Sequence, residues 1–218
     1  MEIECDGIVV RETKALKNRR MILLVTDRLG KISAGTSVSE RGKSRSALAV
    51  RRFTRGRYQL RQNRGFTSIT GGDVIHSYFD LSLDYDKFTS ASLALEFTGK
   101  VLPEEVPSPE IYDLLVKYLD LLESRSRNFD MLTVAYFVKV LKLSGVFPTE
   151  ENYKHDKLLS ELDFDIVKVL VYLAENPLEQ LEKLALADEI AAGLLRFVIR
   201  YSEHHLDIGA LKSDLPKE

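Results

Sequence analysis

Residues 41–64 read RGKSRSALAVRRFTRGRYQLRQNR, with nine Lys or Arg in twenty-four positions and no carboxylate. After Glu40 the next acid is Asp73, so nothing close in sequence neutralises the run, and salt screens it only over about 8–10 Å. Such a field attracts phosphate backbones without choosing a base sequence. A solvated or disordered arm would carry the same charge, but here Ala47, Leu48, Val50, Phe53, Tyr58 and Leu60 are interleaved with the cations. From Phe53 to Arg61 the pattern has a period of two. It places Arg55, Arg57, Gln59 and Arg61 on one face of a strand and Tyr58 and Leu60 on the other. A basic outer face backed by a core face is the layout of a nucleic-acid-binding β-sheet.

Working outward, short β-branched and apolar segments predict further strands at 3–11, 21–26, 31–38 and 66–79. Asp27-Arg28-Leu29-Gly30 reads as a tight hairpin in which Gly30 supplies the positive φ. Five short strands in about eighty residues predict a small β-barrel with long basic loops, an OB-fold, with an SH3-like barrel matching the strand count nearly as well. After Phe79 the periodicity becomes helical. Helices are expected at 86–99 with Gly99 as the stop, from Pro109 onward behind Ser108 as cap, and at 128–144, 161–175 and 187–206. In the second of these Ile111, Leu114, Leu115, Tyr118 and Leu122 form one apolar stripe. Phe129, Leu132, Tyr136 and Leu143 are core candidates in the next. The fold class is therefore α+β in two domains, a barrel over 1–80 and a helical bundle over 81–218.

The net charge of −2 conceals an asymmetry. Residues 1–80 hold 16 basic and 8 acidic side chains, whereas residues 81–218 hold 15 and 25. Nucleic acid is expected on the first part, protein partners or simple helix packing on the second. Catalysis finds no support, since there is no P-loop pattern, GxSxG or HExxH. Glu203-His204-His205 lies at a helix C-terminus, where cations are favoured by the dipole, and adjacent helical residues diverge by about 100° and do not readily share one ion. The lone Cys5 forms no internal disulfide and has no metal-ligand spacing to any histidine. The chain opens MEIECDG without a basic, apolar leader, and its apolar runs are short, which leads to the expectation of a cytoplasmic protein.

The DNA-binding candidates are Arg41, Lys43, Arg45, Arg51, Arg52, Arg55, Arg57 and Arg61, of which the adjacent Arg51 and Arg52 should not both point the same way. Phe53, Tyr58 and Phe66 serve either as barrel core or as stacking platforms for unpaired bases. Phe53 is the stacking candidate because alternation sets it on the face of Arg55 and Arg57. Three functional classes follow. The first is a non-enzymatic DNA-binding protein, the second an RNA-binding or protein-adaptor barrel, and the third a hydrolase, for which the basic half lacks a carboxylate cluster.

Six segments in order, DGIVVRETKA, MILLVTDRLGKISA, GKSRSAL, VLPEEVPSPEIYDLLVKYLDLL, KLSGVFP and YSEHHLDIGALKS, make the chain resemble the bacterial RecO recombination mediators over nearly its whole length. The resemblance implies an N-terminal OB-fold and a helical C-terminal domain. It also implies binding of single- and double-stranded DNA, annealing of complementary strands and, with RecR, help in loading RecA onto DNA coated by single-stranded-DNA-binding protein. A nucleoid-associated location goes with that activity. One departure is plain. Many such proteins carry four cysteines in a zinc loop after the segment matching KLSGVFP, and here that loop is TEENYKHDK, at 149–157, without a cysteine. Purified protein should accordingly contain no stoichiometric zinc, and chelators should leave its melting temperature unchanged. One tightly held zinc per chain in elemental analysis would overturn this reading of the ligand inventory.

Overall fold

The computed structural model describes residues 2–14, 20–36, 45–63, 65–149, 151–183 and 186–211. It separates into two compact units, Met1–Tyr85 with Thr98–Asp113, and Asp86–Phe97 with Leu114–Glu218.

In the first unit five strands, β1 (Glu2–Lys14), β2 (Arg20–Thr26), β3 (Gly30–Thr36), β4 (Thr54–Asn63) and β5 (Phe66–Ser77), close on themselves in the order β1-β2-β3-β5-β4. Closure is possible because β1 is long enough to serve two neighbours. Its first half pairs with β4, from Glu2↔Arg61 to Ile8↔Arg55, and its second half with β2, from Gly7↔Thr26 to Lys14↔Arg20. All ladders are antiparallel except the short parallel contact of β3 with β5 at Ala34↔Thr67 and Gly35↔Ser68. A five-residue helix, α1 (Arg45–Ala49), precedes β4 where the sequence suggests only a loop. Ala49 and Val50 join Cys5, Val9, Ile22, Leu24, Ile32, Ala34, Tyr58, Leu60 and Ile69 in the barrel core. The buried Tyr58 hydroxyl donates to the Ala49 carbonyl at 2.6 Å, so the residue that fills the barrel also fixes α1 to it. A phenol placed there needs such a partner, because a buried orphan hydroxyl costs roughly 1–3 kcal/mol.

A bulge in β1 shapes the segment entering β4. The register passes from Val9↔Leu24 to Arg11↔Leu23, leaving Val10 as the extra residue. The carbonyls around the bulge are taken by Phe53 N–H on Val9 at 3.4 Å and by Arg52 Nε on Val10 at 3.2 Å. To reach Val9, Phe53 adopts φ +65°, an uncommon backbone for an aromatic residue.

The hairpin at Asp27–Leu29 is as the sequence suggests, with Gly30 at φ +69°. Its glycine is doubly required, because a Cβ there would lie 1.9 Å from the Val106 carbonyl oxygen. That contact arises as the chain returns along β3, where Glu105 N–H donates to the Lys31 carbonyl at 2.9 Å. The helix α2 (Tyr85–Val101) does not stop at Gly99. The glycine instead permits close approach, since a Cβ would meet Val10 Cγ1 at 3.0 Å, and its carbonyl accepts from Lys31 Nζ at 3.0 Å.

The second unit is helical. It contains parts of α2 and α3 (Pro109–Ser124), then α4 (Phe129–Leu143), α5 (Lys157–Ser160), α6 (Phe164–Glu175) and α7 (Asp188–Leu206). Helix α4 is its axis, buried from Met131 through Val138 and again at Val140 and Leu141, with α6 and α7 against it. Phe97 stacks on Phe137 at 3.9 Å, and the Tyr118 hydroxyl meets Thr133 Oγ1 at 2.9 Å. In the apolar stripe of α3, Ile111, Leu115, Tyr118 and Leu122 are buried and Leu114 half-buried; of the core candidates in α4, Phe129 is half-buried and Leu143 exposed. It falls at the end of α4, just before Gly145 (φ +71°) terminates the helix by donating to the Lys142 carbonyl at 2.9 Å.

Residues 151–157 are held in place. Tyr153 is buried, and Asp156 caps α5 by accepting from Leu158 and Leu159 N–H at 2.9 and 3.0 Å. The same carboxylate accepts from the Tyr201 hydroxyl at 2.8 Å and lies 3.1 Å from His205 Nε2. His205 is therefore engaged with a specific carboxylate, beyond a general attraction to the helix end.

At the start of α4, Asp130 is held above the usual carboxylate range by its burial and then by the like charges of Asp86 and Asp188. A carboxyl whose folded pKa is raised binds its proton more tightly in the native state, so its ionisation erodes stability as pH rises through that pKa. Asp130→Asn is expected to raise the melting temperature at pH 7 by a few degrees, and the gain should vanish below the ordinary value of 3.8, where the carboxyl is neutral in both states. Thermal scans across pH check this, and a loss of stability at pH 7 would contradict it.

Candidate nucleic-acid interface

The alternation read from the sequence is present in β4. Tyr58 and Leu60 are fully buried, whereas Arg57, Gln59 and Arg61 point outward and are exposed. The outward face is nevertheless not a bare cationic surface. The β1–β4 register sets Glu2 opposite Arg61, Glu4 opposite Gln59 and Asp6 opposite Arg57. Arg57 grips Asp6 with Nε to Oδ1 at 2.9 Å and Nη2 to Oδ2 at 3.5 Å, and Arg61 Nη2 donates to Glu2 Oε1 at 2.8 Å. The hydrogen bond from Arg61 holds the Glu2 carboxyl below its usual range, and the one to Asp6 raises Arg57. On its other side, Arg57 faces Asp73 of β5. The acids that neutralise this face are thus distant in sequence and adjacent in the sheet.

Arg55 departs further from the expected face. It is half-buried beside Tyr112, and although burial opposes its charge, Tyr112, Tyr78 and Asp6 together hold the guanidinium above its ordinary value. Arg51 and Arg52 diverge, as their adjacency requires. Arg51 is exposed and makes no ion pair among the described residues, whereas Arg52 lies half-buried with its guanidinium carbon 4.9 Å from the centre of the Phe53 ring. Arg41 and Lys43 lie outside the described residues, and Arg45 opens α1 with its side chain outside them.

Phe53 requires a correction. It is only 5% exposed and cannot offer a face to a base. Its positive φ breaks the alternation, which begins at Thr54, so extrapolating the strand pattern back by one residue assigns it the wrong side. The exposed aromatics of this unit are elsewhere, at Phe66, Phe79 and Tyr85. Phe79 contributes, with Leu48, Arg51, Arg52, Asp73 and Val74 among others, to a groove of about 620 Å³. The β1 carboxylates were open to detection in the sequence, since Glu2, Glu4 and Asp6 alternate with the same period as the β4 arginines. The groove gave no such signal.

Two family profiles match consecutive parts of the chain, "Recombination protein O N terminal" over residues 1–78 and "Recombination protein O C terminal" over residues 82–153. Together they cover well over half of it. The chain belongs to the RecO family. Among its relatives is a protein named DNA repair protein RecO from Listeria welshimeri, 27% identical over 151 residues, which are 68% of this chain and 58% of the relative. Proteins of the same name from Halalkalibacterium halodurans and Exiguobacterium sibiricum are 25% and 29% identical over 66% of this chain and 57% and 58% of their own. The similarity thus spans less than two thirds of these RecO proteins. Among the described residues, no helix is long and apolar enough to cross a membrane.

Arg57 and Arg61 are exposed, and ion pairs at the surface are weak and screened by salt, so a phosphate can replace Asp6 or Glu2 at small cost. It must still displace them. Changing Glu2→Gln and Asp6→Asn together is expected to strengthen single-stranded DNA binding at low salt, and to steepen log affinity against log salt by up to about 1.4 for two released arginines at roughly 0.7 each. Arg51→Ala should weaken binding and flatten the slope. Fluorescence-anisotropy titrations at several salt concentrations decide this. Unchanged affinity in the carboxylate variant would remove Arg57 and Arg61 from the interface.

Proposed function

We propose that this protein is a non-enzymatic recombination mediator in DNA repair, one that binds single- and double-stranded DNA and anneals complementary strands. Family membership over residues 1–78 and 82–153 is the observation that carries the reading, and the cation-rich stretch 41–64 supplies its physical means. The barrel is read as an OB-fold on the strand order β1-β2-β3-β5-β4 with a parallel β3–β5 contact, a five-stranded arrangement used for binding oligonucleotides.

Annealing needs two polyanions to approach each other. Cations that neutralise phosphates on both strands release counterions and lower the mutual repulsion, and because phosphates carry no base information the effect tolerates any sequence. Arg51 and the 41–45 segment are the cations best suited to start this contact, with Arg57 and Arg61 joining once their carboxylates yield. In this reading RecR, single-stranded-DNA-binding protein and, through them, RecA are the protein partners, and no metal or organic cofactor takes part.

The charge-balanced outer face of β4 favours one alternative, a barrel that meets a protein surface or RNA and does not anneal strands. The test measures annealing of complementary oligonucleotides alongside affinity for single-stranded DNA, duplex DNA and RNA of equal length at several salt concentrations. Acceleration of annealing without nucleotide hydrolysis, with affinity for both DNA forms falling as salt rises, is the expected outcome. Tight RNA binding with no acceleration of annealing would move the assignment to the alternative.

A further inference from the structure

Resting on the proposal that the protein binds single-stranded DNA, we infer that unpaired bases are held in the groove between α1 and the end of β5, with Phe79 as their stacking platform. Two features set this groove apart from the β4 face. Its walls are apolar yet open to water, with Phe79 59%, Leu48 41% and Val74 37% exposed. Its rim also carries charges of opposite sign in separate places, Arg51 and Arg52 from the segment after α1 and Asp73 from β5.

That donor set fits a nucleotide better than a charged peptide. The aromatic face takes the base, Arg51 takes the phosphate, and the Asp73 carboxylate accepts from a ring or amino N–H on the base edge, N3–H in the case of thymine. An acidic peptide would leave Asp73 without a donor to pair with, and a basic one would be repelled by the two arginines. The volume of about 620 Å³ lies within the roughly 300–1,000 Å³ of small-ligand sites. Phe79 is set in this position by its neighbours. The preceding residue, Tyr78, is fully buried and its N–H donates to the Phe53 carbonyl at 2.8 Å, and Leu81 is also buried, so the short 3₁₀ helix Tyr78–Leu83 is anchored from within and presents Phe79 outward. The strained Phe53 backbone, no stacking platform itself, thus positions the one that is.

The chain contains no tryptophan, so Phe79→Trp creates a unique fluorescent reporter at the groove. In the full-length protein, oligo-dT should quench that emission, and an abasic oligonucleotide of the same length should quench it much less. Phe79→Ala should weaken oligo-dT binding about tenfold, within the range of one lost stacking contact, while leaving duplex affinity and the salt slope unchanged. Circular dichroism confirms that each variant is folded, as expected for a side chain so exposed. Should oligo-dT bind tightly to the tryptophan variant without altering its emission, the bases lie elsewhere, and the groove assignment falls while the DNA-binding proposal stands. Failure of the unaltered protein to bind oligo-dT at all would sink both. Quenching by an acidic, aromatic-ended peptide but not by oligo-dT would make the groove a peptide site and overturn the inference.

Discussion

The pairing of β1 with both β4 and β2 is the constraint on which the first unit depends. A single strand spans the closure, so its register with β4 decides at once which side chains fill the barrel and which charges meet outside. With Cys5 inward, Glu4 and Asp6 fall outward beside Gln59 and Arg57; a shift of one residue would bury the carboxylates. Val9 fills the barrel, while Val10, the extra residue of the bulge, is buried on the outside beside Gly99, and the carbonyls of both are satisfied by Phe53 and Arg52. The entry into β4 follows from β1 as much as from its own sequence.

Local periodicity made much of this legible. Tyr58 and Leu60 could be placed inside, and Arg57 and Arg61 outside, because a strand has a strict two-residue repeat and residues 54–61 obey it. The hairpin at Gly30 was readable because only a short polar turn with a glycine fits there. What the sequence could not disclose was non-local. Nothing in residues 41–64 states that their neighbours in the sheet are Glu2, Glu4 and Asp6. Nor does the pattern around Phe53 disclose a left-handed backbone, whose N–H is directed at the Val9 carbonyl more than forty positions away. Gly99 has the composition of a helix stop, but its role is set by Val10, a contact that no window of local sequence contains. The groove at Phe79 was invisible for a related reason, since it gathers residues from α1, the start of β4 and the end of β5.

In the helical unit a comparable role falls to one carboxylate. Asp156 accepts two backbone N–H groups at the start of α5, receives the Tyr201 hydroxyl and lies against His205. Each hydrogen bond to a charged group of this kind contributes on the order of 1.5–3 kcal/mol. The short segment 151–157 is thereby tied to α7 through hydrogen bonds, at the place where the family resemblance leads one to expect a cysteine-rich loop.

The core position of Cys5 also makes the protein convenient for direct observation. Its thiol is 3% exposed, and burial, reinforced by Asp27 and Asp6, pushes its pKa up to about 12, so it holds almost no reactive thiolate at neutral pH. As the sole cysteine of the chain, it leaves the surface chemically silent toward maleimides. A cysteine introduced at any exposed position becomes the one fast-labelling thiol, with no need to remove the native residue from the barrel. Dyes can then be placed one at a time on an otherwise unaltered molecule, and single-molecule records can report on one chosen point of the surface at a time.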